Sequence, residues 1–162
     1  NLFRAFDQFK KSDISGIKLV LAGARMWWTD EIRLAYEAME YKDDVIFTGR
    51  VTDQELAELM ASALALTYVS YFEGFGIPIL EAFHCDTPVI TSNVSSMREV
   101  AGNAAILTDP FSIDSIASAM QKIASDSDFR EKLIIDGRIQ REKFSWEQTA
   151  EKLWKCVEQT LE

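Results

Sequence analysis

Two carboxylates, Glu73 and Glu81, stand with seven residues between them, and the intervening run is Gly74-Phe75-Gly76-Ile77-Pro78-Ile79-Leu80. A carboxylate at a strand end beside glycines is a good acceptor for hydroxyl groups. A second one, about one turn into the following helix, reaches back toward the same loop. Ribose diols and sugar hydroxyls suit such a pair. The helix start adds another capacity, because its free N–H groups and partial positive charge favour phosphate or sugar oxygens. Residue types alone support the plainer alternative equally well: Glu81 caps its own helix and Glu73 is solvated.

The pair needs a strand, a tight loop and a helix to position it. Leu64-Ala65-Leu66-Thr67-Tyr68-Val69 reads as a buried strand, and Pro78 stands where a helix can begin. The same alternation runs along most of the chain. Leu2, Phe3, Phe6 and Phe9 share one helical face. Ile17–Ala22 is a strand closed by Gly23, and Thr29 caps a helix carrying Ile32, Ala35, Tyr36 and Met39. Val45–Thr48 is a strand closed by Gly49. Thr52 and Glu55 form a capping box for a helix with Leu56, Leu59 and Met60. Pro88–Thr91 and Ala104–Leu107 are further strands, with a short helix between them capped by Ser96 and Glu99 and ended by Gly102.

From Ile113 the pattern is helical. One amphipathic helix carries Ile116, Met120 and Ile123, and a second runs from Asp128 to Lys143 with Gly137 as a weak point inside it. Ser145 and Gln148 form a capping box that opens a last helix, with Trp146, Ala150, Leu153, Trp154, Val157 and Leu161 on one side. Five strands alternating with helices predict a Rossmann-like parallel sheet with helices on both faces, plus a C-terminal helical appendage. Ligands in such sheets bind at the carboxyl ends of the strands, where Gly23, Gly49, the Glu73–Gly76 loop and Thr91-Ser92 all fall.

The 162 residues fit one domain with a substantial core. A net charge of −9 argues against nucleic acid or an anionic membrane as the main partner. The two cysteines, Cys85 and Cys156, read as reduced and incidental. No apolar stretch approaches the roughly 20 residues that span a bilayer, and no secretory signal opens the chain. The chain starts within a helical pattern and without Met, which predicts a piece of a longer protein. The acidic balance favours a cytoplasmic location, with any peripheral contact at the inner membrane face belonging to the remainder.

Other chemistries find little support. Gly74-Phe75-Gly76 lacks the third glycine of a dinucleotide fingerprint and comes too late in the chain, which disfavours an oxidoreductase. There is neither a G-x-x-x-x-G-K-[ST] phosphate loop nor a G-x-S-x-G elbow. The single histidine, His84, has no ligand cluster at metal spacing, so no metal is expected. His84 is expected to be a packed or partly exposed residue and not a catalyst, and packing is also expected for Trp27-Trp28, whose alternative is to stack a base or sugar. Asn93-Val94-Ser95 matches a glycosylation sequon only by chance.

The segment from Glu73 to Ala82 resembles the E-x7-E signature of family 4, or group 1, glycosyltransferases of the GT-B fold. Thr87-Pro88-Val89-Ile90-Thr91-Ser92, Arg98-Glu99-Val100-Ala101-Gly102, Asp109-Pro110 and Phe144-Ser145-Trp146 follow that family's pattern in order. Leu21-Ala22-Gly23 and Phe47-Thr48-Gly49 do so upstream, so the resemblance spans nearly the whole chain. It implies the donor-binding half of a retaining hexosyltransferase acting from a nucleotide-sugar (UDP-, GDP- or ADP-) to a glycan or glycolipid acceptor. The general class is polysaccharide biosynthesis.

The resemblance implies roles residue by residue. Glu73 contacts donor sugar hydroxyls, the catalytic assignment here, without acting as a nucleophile. Glu81 holds the ribose diol. Gly74, Phe75 and Gly76, with Ile77 at the helix start, offer backbone N–H groups to sugar and phosphate. Arg50 and Val51 lie near the base. No metal and no cofactor are implied, since the nucleotide-sugar is a substrate. Basic side chains and helix N-termini then stabilise the departing diphosphate.

Three departures qualify these expectations. His84-Cys85-Asp86 stands where the family has a small residue and a glycine, so Asp86 is expected to disturb a turn. Val69 replaces a common proline. The family's phosphate-binding Arg and Lys, on a strand and loop ahead of the first helix, and its N-terminal acceptor domain are not in these 162 residues. Arg25 is read as a solvated surface residue and not as their substitute. The polypeptide alone is therefore expected to lack useful transferase activity. A noncatalytic sugar-nucleotide-binding or assembly domain on the same fold is the alternative.

Overall fold

The computed structural model describes residues 1–26 and 28–161, the last by its backbone alone. Helix α1 (Leu2–Lys10) buries Phe3, Phe6 and Phe9. That spacing tracks the 3.6-residue period. Strand β1 (Leu19–Ala22) leads to α2 (Asp30–Glu37), where Thr29 accepts a hydrogen bond from the Ile32 N–H. After a single 3-10 turn come β2 (Val45–Gly49) and α3 (Asp53–Ser62), the latter opened by the full Thr52–Glu55 capping box.

Next are β3 (Leu66–Tyr68), α4 (Ile77–His84), β4 (Val89–Ser92), α5 (Ser95–Ala101) and β5 (Ile106–Thr108). Three helices finish the chain: α6 (Ile113–Ser125), α7 (Ser127–Arg141) and α8 (Trp146–Leu161). The class is α/β, with parallel strands and helices on both faces. Strand β4 shows the layering: Val89 packs with Met60, Ile79 and Val100, whereas the next residue, Ile90, packs with Phe6, Phe9 and Ile116. Successive strand residues point to opposite faces. Helices α1 and α6 therefore cover one face, and α3, α4 and α5 the other.

The strands form two sheets, β1–β2 and β3–β4–β5, and not the single five-stranded sheet that the alternation predicts. Between β1 and β3 runs an apolar slot bordered by residues of both, so their backbones do not meet among the described residues. Strand β3 is also shorter than expected and half-buried throughout, with Leu64 exposed.

Other departures are local. Pro78 is the second helical residue of α4, with Gly76 at its N-cap. Gly137 is not a weak point: a Cβ there would sit 2.8 Å from Phe83 Cδ1, so the glycine lets α7 approach α4. Helix α8 does have an apolar side, but Trp146, Leu153, Trp154 and Val157 on it are all exposed. The side chain of Leu161 lies outside the described residues. Both cysteines are free thiols.

Candidate functional site

The Glu73–Gly76 loop leaves the carboxyl end of β3 and is fastened to the segment that leaves β4. Thr91 Oγ1 donates to Tyr68 O (2.8 Å) and Ser92 Oγ to Ser70 O (2.6 Å). Three residues further on, at the start of α5, Ser95 Oγ donates to Glu73 O (2.7 Å) and also accepts from the Glu73 N–H (3.3 Å). Ser96 Oγ donates to the same carbonyl (2.8 Å). Ser95 holds a left-handed backbone, φ 58°, which non-glycine residues rarely adopt. Such a conformation persists where its surroundings enforce it. Here the surroundings are the bonds to Glu73.

These contacts correct the expected cap. The N-cap of α5 is Val94 and has no side-chain bond, because the Ser96 hydroxyl is spent on Glu73 instead. The serines are the site residues that local sequence reading missed. Their only signal was a serine pair within four residues of a strand end, the place where α/β proteins gather ligand loops.

Glu73 is half-buried and Glu81, in the second turn of α4, is exposed. The Tyr68 phenol lies between their fields. Its acidity is suppressed to about pKa 12, first by burial, then by the neighbouring Glu73 carboxylate, with a further push from Glu81. Sequence reading did not single out this phenol, which feels the charge of both carboxylates, Glu73 more than Glu81. Tyr68 keeps its proton across the neutral range and remains a donor toward carboxylates.

Gly76 caps α4 with φ 111°, and a Cβ there would come within 3.2 Å of Ile79 Cδ1. Gly74 faces open space, with nothing within 4 Å of a built Cβ. Helix α4 has neither a side-chain cap nor an acidic residue in its first turn, so the positive field of its N-terminus is not offset there. Phe75 and Ile77 are exposed beside it, and Phe75 meets Phe144 edge-on at 5.8 Å. Tyr71 stacks flat on Phe111, with centroids 4.7 Å apart. The loop is therefore rimmed by aromatic surface, which suits sugar or base faces.

Arg50 and Val51 follow the carboxyl end of β2, exposed and half-buried respectively. No hydrogen bond or ion pair joins them to the Glu73 loop among the described residues. They sit at the edge of the two-stranded sheet, while both glutamates belong to the three-stranded one.

Arg25 is more than a solvated arginine. Its guanidinium stacks 3.6 Å from the Phe47 centroid and 5.2 Å from that of Trp28. Trp28 itself is packed among Phe3, Tyr36 and Phe47, and Trp27 lies outside the described residues. His84 is exposed in the last turn of α4. Asp86 does strain its turn, at φ 54°, and is compensated by Arg138, whose Nε and Nη2 donate to its two oxygens at 2.8 and 2.7 Å. Among the described residues, no three His, Cys, Asp or Glu side chains are placed to hold a metal ion. No helix among them is long and apolar enough to cross a membrane.

Comparison with known proteins bears on the family and the fold. The O-antigen chain mannosyltransferase B of Escherichia coli is 36% identical over 143 residues, which cover 88% of this chain and 36% of that protein. The chain therefore spans about a third of that relative's length. Among solved structures, sucrose-phosphate synthase from Thermosynechococcus elongatus superposes with a TM-score of 0.78 at 25% identity, covering 98% of this chain and 42% of that one. Anabaena Alr3699/HepE, solved in complex with UDP-glucose, superposes with a TM-score of 0.80 at 21% identity over 95% of this chain and 44% of that one, a likeness of fold alone. The family model described as glycosyl transferases group 1 matches residues 1–140, and the chain belongs to that family.

Proposed function

We propose that this chain is the donor-binding part of a retaining glycosyltransferase that moves a hexosyl group from a nucleotide-sugar to a glycan or glycolipid. The observation that carries the reading is the fastened Glu73 loop: a glutamate whose backbone is held at the carboxyl edge of a parallel sheet, beside an uncapped helix N-terminus. In this reading Glu73 accepts hydrogen bonds from sugar hydroxyls and Glu81 from the ribose diol. The Gly74–Ile77 backbone offers N–H groups to the sugar and diphosphate. Arg50 and Val51 contact the base. The α4 dipole stabilises negative charge building on the leaving diphosphate, with no metal assigned to that role. The name of the Escherichia coli relative makes mannosyl the first hexosyl to test.

The acceptor is assigned to an N-terminal domain outside these residues, as are the basic phosphate ligands. The isolated chain is then a binder without useful turnover. NMR titration of the chain and of Glu81→Ala with UDP-, GDP- and ADP-sugars tests this. One nucleotide is expected to shift residues around Glu73 and Glu81, and Glu81→Ala to weaken that binding. No perturbation near either glutamate at millimolar concentration would remove the donor assignment. In the longer protein, Glu73→Ala is expected to abolish transfer while the fold persists.

A further inference from the structure

The Glu73 loop is gripped at its backbone from β4 and α5, and at one of its rings from a third direction. Tyr71, two residues ahead of Glu73, lies flat on Phe111, with the ring planes 2° apart and the centroids 4.7 Å apart. Phe111 belongs to the turn between β5 and α6. The two rings are 53% and 66% exposed. Exposed side chains exchange rotamers freely, so a flat stack at the surface needs a rigid carrier.

Phe111 has one. Pro110 before it is fully buried, and the Pro110 carbonyl accepts from Asn1 Nδ2 at 2.9 Å. The Phe111 N–H donates to Asp109 Oδ1 (2.9 Å), the Ser112 N–H to Asp109 O (3.1 Å) and the Asp109 N–H to Ser115 Oγ (3.1 Å). Ser112 Oγ in turn accepts from the Ser115 N–H and caps α6. Each residue from Asp109 to Ser112 is bonded, and Phe111 stands on this turn as a fixed post. The Tyr71 side is looser. Ser92 binds Ser70 O, and Ser95 and Ser96 bind the Glu73 backbone. Among the described residues, no hydrogen bond holds Tyr71 or Phe72 between those anchors.

We propose that Phe111 is a positioning residue: by stacking on Tyr71 it fixes the stretch between the Ser70 and Glu73 anchors, and so the path on which the loop delivers Glu73. What Glu73 then touches rests on the donor reading; what holds it does not. In that reading the loop meets the sugar through Glu73, and α4 meets the ribose through Glu81. A loosened loop leaves α4 in place. It therefore weakens the hold on the sugar and spares the hold on the nucleotide. Apparent affinity for the nucleotide-sugar falls with the fraction of time the loop is in place.

NMR of the chain and of its Phe111→Ala variant tests this. Without ligand, the order parameters of the Tyr71–Gly74 backbone are expected to fall from about 0.85 to below about 0.6, while α5 and α6 keep theirs. Phe111→Tyr keeps a flat ring and is expected to restore the parental values; Phe111→Leu, apolar but not planar, is not. Tyr71→Ala is expected to match Phe111→Ala, and the double variant to lose no more than either, because the rings act as one unit. The chain is then titrated with GDP-mannose and UDP-glucose, each against its free diphosphate. Phe111→Ala is expected to weaken the nucleotide-sugar about 5- to 10-fold and the diphosphate less than about 2-fold. An unchanged loop in Phe111→Ala would overturn the inference, as would a loosened loop that leaves nucleotide-sugar affinity unmoved. Equal weakening of both ligands would also overturn it, by making the rings a direct contact to the nucleotide. If the parent chain binds none of the four probes, the donor reading fails, and the ligand-free order of the loop still decides whether Phe111 positions it.

Discussion

Ser95 and Glu73 hold each other in both directions across 22 residues: the Ser95 hydroxyl donates to Glu73 O at 2.7 Å and accepts from its N–H at 3.3 Å. Few side chains fix both backbone groups of one residue. Ser96 shares the Glu73 carbonyl, but only the Ser95 hydroxyl grips both backbone groups, and it does so from a strained backbone; its bonds and its strain separate by substitution. Ser95→Ala removes the bonds and keeps the strain, so it is expected to cost about 1–2 kcal/mol. Ser95→Gly removes the bonds but relieves φ 58°, and is expected to be about 0.5–1 kcal/mol more stable than the alanine variant. Urea unfolding gives the order. In both variants the Glu73 amide resonance should move, and nucleotide-sugar binding should weaken more than stability does.

The Tyr68 phenol supplies a pH-dependent readout of the carboxylates. Its folded value of about 12 lies above the ordinary 10.0, so the native state holds this proton more tightly than the unfolded chain. The stability it contributes is complete below pH 10 and is lost as pH rises through 12. Tyr68→Phe is expected to flatten the stability profile over that window. Glu73→Gln should bring the Tyr68 midpoint down while burial keeps it above 10, as measured by site-resolved ring NMR. A midpoint indifferent to Glu73 would separate the phenol from the site.

Much of this arrangement was legible in the sequence wherever the deciding contact is local. The Thr29 cap and the Thr52–Glu55 box form as read, because cap and recipient lie three residues apart. The strand–loop–helix around Glu73 is also local, as is its place at the carboxyl edge. Reading failed where a distant partner outcompeted a near one. Ser96 and Glu99 have the spacing of a capping box, yet the hydroxyl binds Glu73 O. Alternation counts strands but does not say which are neighbours, so the gap between β1 and β3 had no sequence signal. Arg25 is polar and exposed, and nothing near it in sequence announces the ring of Phe47.

Asp86 tests how a strained turn is compensated. At φ 54° a glycine would be preferred, but Arg138 binds both carboxylate oxygens and holds the acid's pKa below its ordinary value. Exposed pairs contribute about 0–1 kcal/mol, and releasing the strain returns a similar amount. Asp86→Gly is therefore expected to leave stability within about 0.5 kcal/mol of the parent. Asp86→Ala, which loses the pair and keeps the strain, should cost about 1 kcal/mol. Thermal unfolding distinguishes them. A glycine variant as damaged as the alanine one would show that the ion pair, and not the backbone, controls this corner.

Gly137 sets propensity against packing within one substitution. In a helix interior Gly→Ala is worth about 1 kcal/mol of added stability. Here the new Cβ would meet Phe83 Cδ1 at 2.8 Å and Cε1 and Cγ at 3.3 Å. Phe83 is 2% exposed and cannot swing into solvent. Overpacking of this kind costs about 1–3 kcal/mol, so Gly137→Ala is expected to destabilise by about 1 kcal/mol net. The sign should reverse when the obstacle is removed: in a Phe83→Leu background the same change should be neutral or stabilising, giving a coupling of about 1 kcal/mol in a double-mutant cycle. Because α4 carries Glu81, a shift of this helix should also register in nucleotide-sugar binding. A Gly137→Ala variant more stable than the parent would mean that α7 and α4 have room to part.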